Sequence, residues 1–153
     1  MPTDLDLNRH MNNGKYLSIM DVGRVDLMVR TGLWRILRQR GWYPVVVSET
    51  ISFRKSLKPW QSFVIESRAI GFDEQAVYVE QRFVASERGG AEELYARAYV
   101  RARILKRSGG VVSIPDLIEA FGAAPQSIPP ELAEWAEYTR LPSTREHTPS
   151  FWH

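Results

Sequence analysis

The opening of the sequence holds Asp4, Asp6, Asn8, His10, Asn12 and Asn13, side chains able to take up, orient and pass on protons. A carboxylate in such a run attacks a carbonyl or activates a water. Asn and His orient the carboxylate or the water. If a helix starts directly afterwards, its unpaired N–H groups and partial positive charge hold the oxyanion that develops on the carbonyl. Together these groups equip a site for acyl transfer. The same residues also suit a plain polar loop that caps a helix, with Asp6 and His10 satisfying backbone groups. Other familiar sites are missing. There is no G-x-S-x-G, H-E-x-x-H, G-x-x-x-x-G-K-[ST] or G-x-G-x-x-G pattern. His147 and His153 lie in the tail, which argues against a Ser-His-Asp triad. The chain has no cysteine, which excludes disulfides, Cys-based metal sites and a Cys nucleophile.

The elements that must position these groups follow at once. Asn12 or Asn13 is a good N-cap. Apolar residues from Tyr16 to Leu37 predict a helical segment from about Gly14 to Arg40, its first part buried on most sides. Gly23 permits a close backbone approach, and Gly32 marks a break or kink. Asp26 and Arg30 form an i,i+4 pair on the wetter side. From Trp42 the period becomes alternating, and strands are predicted over about 45–57, 62–72, 76–87 and 92–106. The last is the clearest. Leu94, Ala96, Ala98, Val100, Ala102 and Ile104 share a small apolar face on which a helix can lie close. Tyr95, Arg97, Tyr99, Arg101 and Arg103 share the other, expected to be wet or to meet a second subunit, with Tyr95 and Tyr99 as sheet-to-sheet contacts. Asp73-Glu74 and Gly89-Gly90 are turn signals, and short connections favour antiparallel pairing. Glu49 shares parity with Val45, Val47, Ile51 and Phe53, which points it inward. A buried carboxylate there would have a raised pKa and serve in acid–base chemistry. A bulge would instead leave it solvated. Short helices are expected over 115–121 and 127–138, the second entered through Ser127 or Ile128 before Pro129. Beyond Leu141 the chain turns polar.

The composition sets outer bounds. The chain has 153 residues, 44% hydrophobic and 25% charged, which suits one globular domain with a real core. The formal net charge of +2 does not argue for nucleic acid. Basic residues gather at Arg54, Lys55 and Lys58, and from Arg97 to Arg107. They are solvated sheet faces or docking points for a phosphate-bearing substrate. No apolar run approaches a membrane span and the start lacks a signal-peptide pattern, so a cytoplasmic protein is expected.

The segment from Asp4 to Leu17 resembles the D-x-D-x-x-x-H-x-N-N-x-x-Y signature of the hotdog-fold thioesterases, including the 4-hydroxybenzoyl-CoA thioesterase-like enzymes. It is closer still to the plant acyl-ACP thioesterases, whose motif also alternates Asp, Asn and His. The resemblance covers about residues 4 to 114. It implies an α+β hotdog fold, an antiparallel β-sheet wrapped around a long central α-helix, over 1–124, with 125–153 as a helical and irregular tail. It implies that Asp6 is the catalytic carboxylate, with Asn8 and His10 beside it. Backbone N–H groups near Asn13 and Gly14 would polarise the thioester carbonyl. The resemblance further implies acyl-CoA or acyl-ACP as substrate, no metal or cofactor, and a homodimer or homotetramer with sites between subunits. Two departures stand out. Where the plant enzymes carry a Glu after a basic pair, this chain has Ser56 after Arg54-Lys55, with Glu49 the nearest carboxylate. Family members also carry a full strand before the D-x-D, and only Met1, Pro2 and Thr3 precede it here.

The resulting expectation is an Asp-dependent acyl-CoA or acyl-ACP thioesterase in lipid metabolism. Tyr16, Met20 and Phe53 are acyl-wall or core positions, and Arg54, Lys55 and Lys58 meet CoA phosphates. The alternative is a hotdog module that binds an acyl or aryl ligand, or a partner, without hydrolysis. A hotdog dehydratase or hydratase needs a different Asp/His motif, which the chain lacks.

Overall fold

A computed structural model of the chain describes residues 13–58, 60–87, 89–122 and 127–150. Asp4, Asp6, Asn8, His10 and Asn12 lie outside the described residues. The chain opens with α1 (Asn13–Thr31) and α2 (Leu33–Arg40). Gly32 separates them at φ 80, a left-handed conformation that interrupts the helix where the sequence signals a break. Gly41 ends α2 in the same conformation, its N–H donating to the Arg38 and Leu37 carbonyls. Then come β1 (Trp42–Phe53), β2 (Val64–Phe72), β3 (Val77–Ser86) and β4 (Glu92–Lys106), followed by α3 (Ile114–Phe121) and α4 (Pro130–Tyr138). Ser113 caps α3 by accepting from the Asp116 N–H at 3.2 Å. Helix α4 starts later than the expected entry through Ser127 or Ile128: Pro129 itself is the cap and Pro130 the first helical residue.

The strands form one antiparallel sheet in the order β1-β4-β3-β2. Helix α1 lies across one face. On β4 the small apolar set behaves as predicted, with Ala96, Ala98, Val100 and Ile104 buried. Ala96, Ala98 and Val100 pack with Tyr16 and Met20 of α1 and with Leu57 and Phe83. Tyr16 meets Phe83 and Phe53 edge-on, with ring centroids 4.8 and 4.9 Å away. A second cluster joins Leu37 of α2 to Ile104, Val112, Ile114 and Leu117.

Three expectations need correction, each for a physical reason. Tyr95 is not on the wet face: it is 4% exposed. The β3–β4 register slips there, pairing Phe83 with Ala96 and Val84 with Leu94, so Tyr95 is the extra residue of a bulge. Its hydroxyl donates to Glu87 at 2.7 Å and accepts from Gln61 at 2.9 Å. Second, β1 ends at Phe53, because the Arg54 and Lys55 N–H groups both turn to the Tyr95 carbonyl. Third, α1 is not buried on most sides. Tyr16, Met20 and Gly23 face the sheet, while Val22, Val25 and Val29 stay exposed, Val22 by 70%.

On the opposite sheet face, Tyr78 donates to Asp73 at 2.5 Å and Arg101 donates to the same carboxylate at 2.8 Å. Burial alone raises the Asp73 carboxyl, but bonds from Arg101, Tyr78 and the Gln75 N–H outweigh it and hold it below the usual value of 3.8. Burial and then the Asp73 bond push the Tyr78 hydroxyl from 10.0 up to about 12. The stabilisation tied to Asp73 is therefore present above about pH 3.8 and is lost as pH falls through its lower folded value. That tied to Tyr78 is present below pH 10.0 and is lost as pH rises toward about 12. A thermal-midpoint profile against pH is expected to lose its alkaline arm in Tyr78→Phe and to flatten on the acid side in Asp73→Asn. Unchanged profiles in both variants would show that the cluster does not govern stability.

Candidate active site

The first turn of α1 follows directly on the Asp4–Asn12 run. Asn13 is its first residue and Gly14 is exposed. A helix start leaves its first N–H groups without intrahelical partners. Tyr16 anchors this turn. It is a core residue, and its hydroxyl accepts from the Leu57 N–H at 3.5 Å. Burial raises its pKa, an effect the Leu57 N–H partly offsets.

Below the middle of α1 lies a buried polar network. Gln81 faces the helix from β3 and is fully buried. Its amide nitrogen donates to the Met20 carbonyl and to Ser67 Oγ, both at 2.9 Å. Its oxygen accepts from Arg24 at 2.7 Å. Arg24 also pairs with Asp21 and stands 4.0 Å from Glu49. Gly23 makes this approach feasible: a Cβ there would sit 3.1 Å from the Gln81 amide and 3.2 Å from Ile65.

Glu49 does face the helix, but not by the parity assigned to it. The β1–β4 register shifts between Val46 and Ser48, so Val47 is an extra residue. After it, Glu49, Ile51 and Phe53 oppose Val100, Ala98 and Ala96 on the helix side. Before it, the helix-side residues are Pro44 and Val46, not Val45 and Val47. The Glu49 side chain keeps 27% exposure, so the buried carboxylate foreseen from alternation is not there.

Beside the network, a cavity of about 310 Å³ opens between α1, α2 and the sheet. Val25, Met28, Leu37, Val79, Ala102 and Ile104 line it, with Asp21 and Arg24 at its polar edge. An apolar cavity of roughly half that size already takes up benzene.

The basic cluster at the end of β1 is already engaged. Lys55 pairs with Glu87 and Glu93, both at 2.7 Å, which raises its pKa, and Arg54 pairs with Glu93 at 2.9 Å. Lys58 is exposed and its ammonium makes no ion pair among the described residues. Ser56 is exposed as well. No group of His, Asp or Glu suited to a metal occurs among the described residues.

The model of the thioesterase-like superfamily matches residues 1–136. The chain belongs to that superfamily. Protein THEM6 of Xenopus laevis is 32% identical over 143 residues, covering 90% of this chain and 64% of that protein. The chain thus spans less than two thirds of that relative's length. The fold is the hotdog fold. It matches the YbaW probable thioesterase of Escherichia coli with a TM-score of 0.69 at 19% identity, over 77% of this chain and 88% of that one. It matches the 4-hydroxybenzoyl CoA thioesterase of Pseudomonas sp. strain CBS-3 with 0.67 at 19% identity, over 78% and 92%.

Of the superfamily residues singled out in the sequence, Asp6, Asn8 and His10 fall outside the described residues. Asn13, Gly14 and Tyr16 gather at one helix start, while Glu49 sits beside Arg24. Arg24, Gln81 and Ser67 escaped the sequence reading, although a signal existed. Gln81 interrupts an otherwise apolar helix-facing row between Val79 and Phe83. Among the described residues, no helix is long and apolar enough to cross a membrane.

Proposed function

We propose that this chain hydrolyses acyl thioesters of CoA or acyl carrier protein. Asp6 acts as nucleophile or general base, Asn8 and His10 position water or substrate, and the first N–H groups of α1 stabilise the oxyanion. The observation that carries this reading is the helix start at Asn13, directly after the Asp6–His10 run, on a helix backed by an apolar cavity. The cavity gives an aliphatic chain a place between helix and sheet. Two further features support a second copy of the chain beside the first. Among the described residues, strand β1 ends the sheet on one side with Tyr43, Val45, Val46 and Val47 exposed, and α1 leaves Val22, Val25 and Val29 uncovered.

The deciding assay is free-thiol release from short, long and aromatic acyl-CoAs and from acyl-ACP. Turnover of any of them supports hydrolysis. Tight binding of thioesters without turnover would favour the ligand-binding alternative, which the exposed Ser56, standing where plant enzymes have a Glu, keeps in play. The chain-length profile tests the cavity. Ala102→Phe narrows it from the sheet side and is expected to lower kcat/KM for long acyl chains about tenfold or more while sparing short ones. Equal loss at all lengths would remove the cavity from the acyl path.

A further inference from the structure

The loop joining β1 to β2 holds a side chain that the fold leaves unused. Trp60 is 80% exposed. It is also the non-glycine residue with positive φ among the described residues, at 62°. That conformation crowds the Cβ of any L-residue and is uncommon for a bulky one. The turn is nevertheless firmly held. The Gln61 N–H donates to the Lys58 carbonyl at 3.1 Å, and the Lys58 N–H donates to Gln61 Oε1 at 2.9 Å. Gln61 Nε2 then donates to the buried Tyr95 hydroxyl at 2.9 Å. A strained turn tied to the core thus holds an indole in solvent, and strain fixed by its surroundings is characteristic of ligand clamps.

The charges nearby narrow the ligand. Glu87 and Glu93 already balance Arg54 and Lys55, and Lys58, close to Trp60 in sequence, makes no ion pair among the described residues. A membrane surface is recognised by several uncompensated basic residues. One flat aromatic face with one ammonium suits a stacked base and its phosphate instead. The turn also hangs from the segment that packs on the first turn of α1, through Phe53 and Leu57 against Tyr16.

We infer that Trp60 is the stacking platform for the adenine of coenzyme A, with Lys58 on a phosphate, so that the acyl carrier is CoA. A carrier protein presents its pantetheine without adenine. The inference rests on the thioester reading above. Its test compares an acyl-CoA with the matching acyl-pantetheine in wild type, Trp60→Phe and Trp60→Gly. Glycine is at ease at this φ, so the fold survives the change. KM for acyl-CoA is expected to rise about tenfold in Trp60→Gly, with kcat unchanged, acyl-pantetheine unaffected and Trp60→Phe close to wild type. A KM for acyl-CoA within twofold of wild type overturns the inference, as does an equal effect on both substrates. If wild type turns over neither thioester, the hydrolase reading fails. Binding of adenosine 3′,5′-bisphosphate then decides: affinity lost in Trp60→Gly sustains the platform, and no binding, or Trp60-dependent binding to anionic lipid vesicles alone, ends it.

Discussion

Asn in place of Asp6 is expected to lower kcat for acyl-thioester hydrolysis about a hundredfold or more, with KM and thermal midpoint close to wild type. The size follows from the chemistry. An amide of the same shape neither attacks a carbonyl nor takes a proton from water, and a positioned base contributes roughly 10²- to 10⁴-fold. The first N–H groups of α1 and the apolar cavity remain in Asp6→Asn, so on the proposed mechanism some catalysis should persist. Steady-state thiol release on the best acyl-CoA of the panel, with a melting curve as control, is the measurement. Activity that survives Asp6→Asn would sink the proposed mechanism. Glu49 would then be the next carboxylate to replace, since it stands on the helix side of β1, 4.0 Å from Arg24. Its partial exposure leaves room for a water beside it.

The second large effect concerns stability. Gln81→Leu should cost about 2–4 kcal/mol. Leucine fits the volume but supplies none of the bonds. The Ser67 hydroxyl loses its donor and the Met20 carbonyl loses its contact from the sheet. The heaviest loss falls on Arg24, whose guanidinium keeps Asp21 but gives up its 2.7 Å bond to the buried amide oxygen. A buried charge short of a partner is costlier than a neutral group in the same position. For a chain of this size the thermal midpoint should fall by roughly 5–15 °C. Denaturant unfolding would measure it, with Ser67→Ala as the milder companion at about 1 kcal/mol. A Gln81→Leu cost under about 1 kcal/mol would mean that the network is tolerated by the fold rather than required.

What could be read from the sequence, and what could not, divides along physical lines. Gly32 ends α1 because a residue without Cβ marks the place where a helix is cheapest to interrupt. Strand β4 has its predicted bounds because polar and apolar residue types alternate along its sequence and glycine pairs flank it on both sides. Bulges were invisible. Val47 and Tyr95 are ordinary strand residues, and nothing in their type says that one more residue sits on this strand than on its neighbour. The exposed valines of α1 misled for another reason. Periodicity reports that a face is apolar, not whether this chain or a second one covers it. In the candidate site, the opening motif suggests acyl transfer by residue type and spacing, and its Asp6, Asn8 and His10 lie outside the described residues. The Arg24–Gln81–Ser67 network depends on a long-range contact between α1, β3 and β2, which only the fold brings together.

The extra residue in β1 behaves like a frameshift in a two-letter message. Along a strand the chain reads in, out, in, out, and Val47 inserts one letter. Upstream of it, Pro44 and Val46 wall the cavity; downstream, Glu49 reaches Arg24. No point substitution at Val47 alters that phase, since every side chain still occupies one letter. Deleting the residue would not alter it either: Val46 and Ser48 already pair with the neighbours Ala102 and Arg101, so the two would close up into a regular in-and-out step, with Pro44 and Val46 still on the cavity and Glu49 still toward Arg24. The extra letter is thus one that the sheet accommodates, not one that sets which side chains wall the cavity.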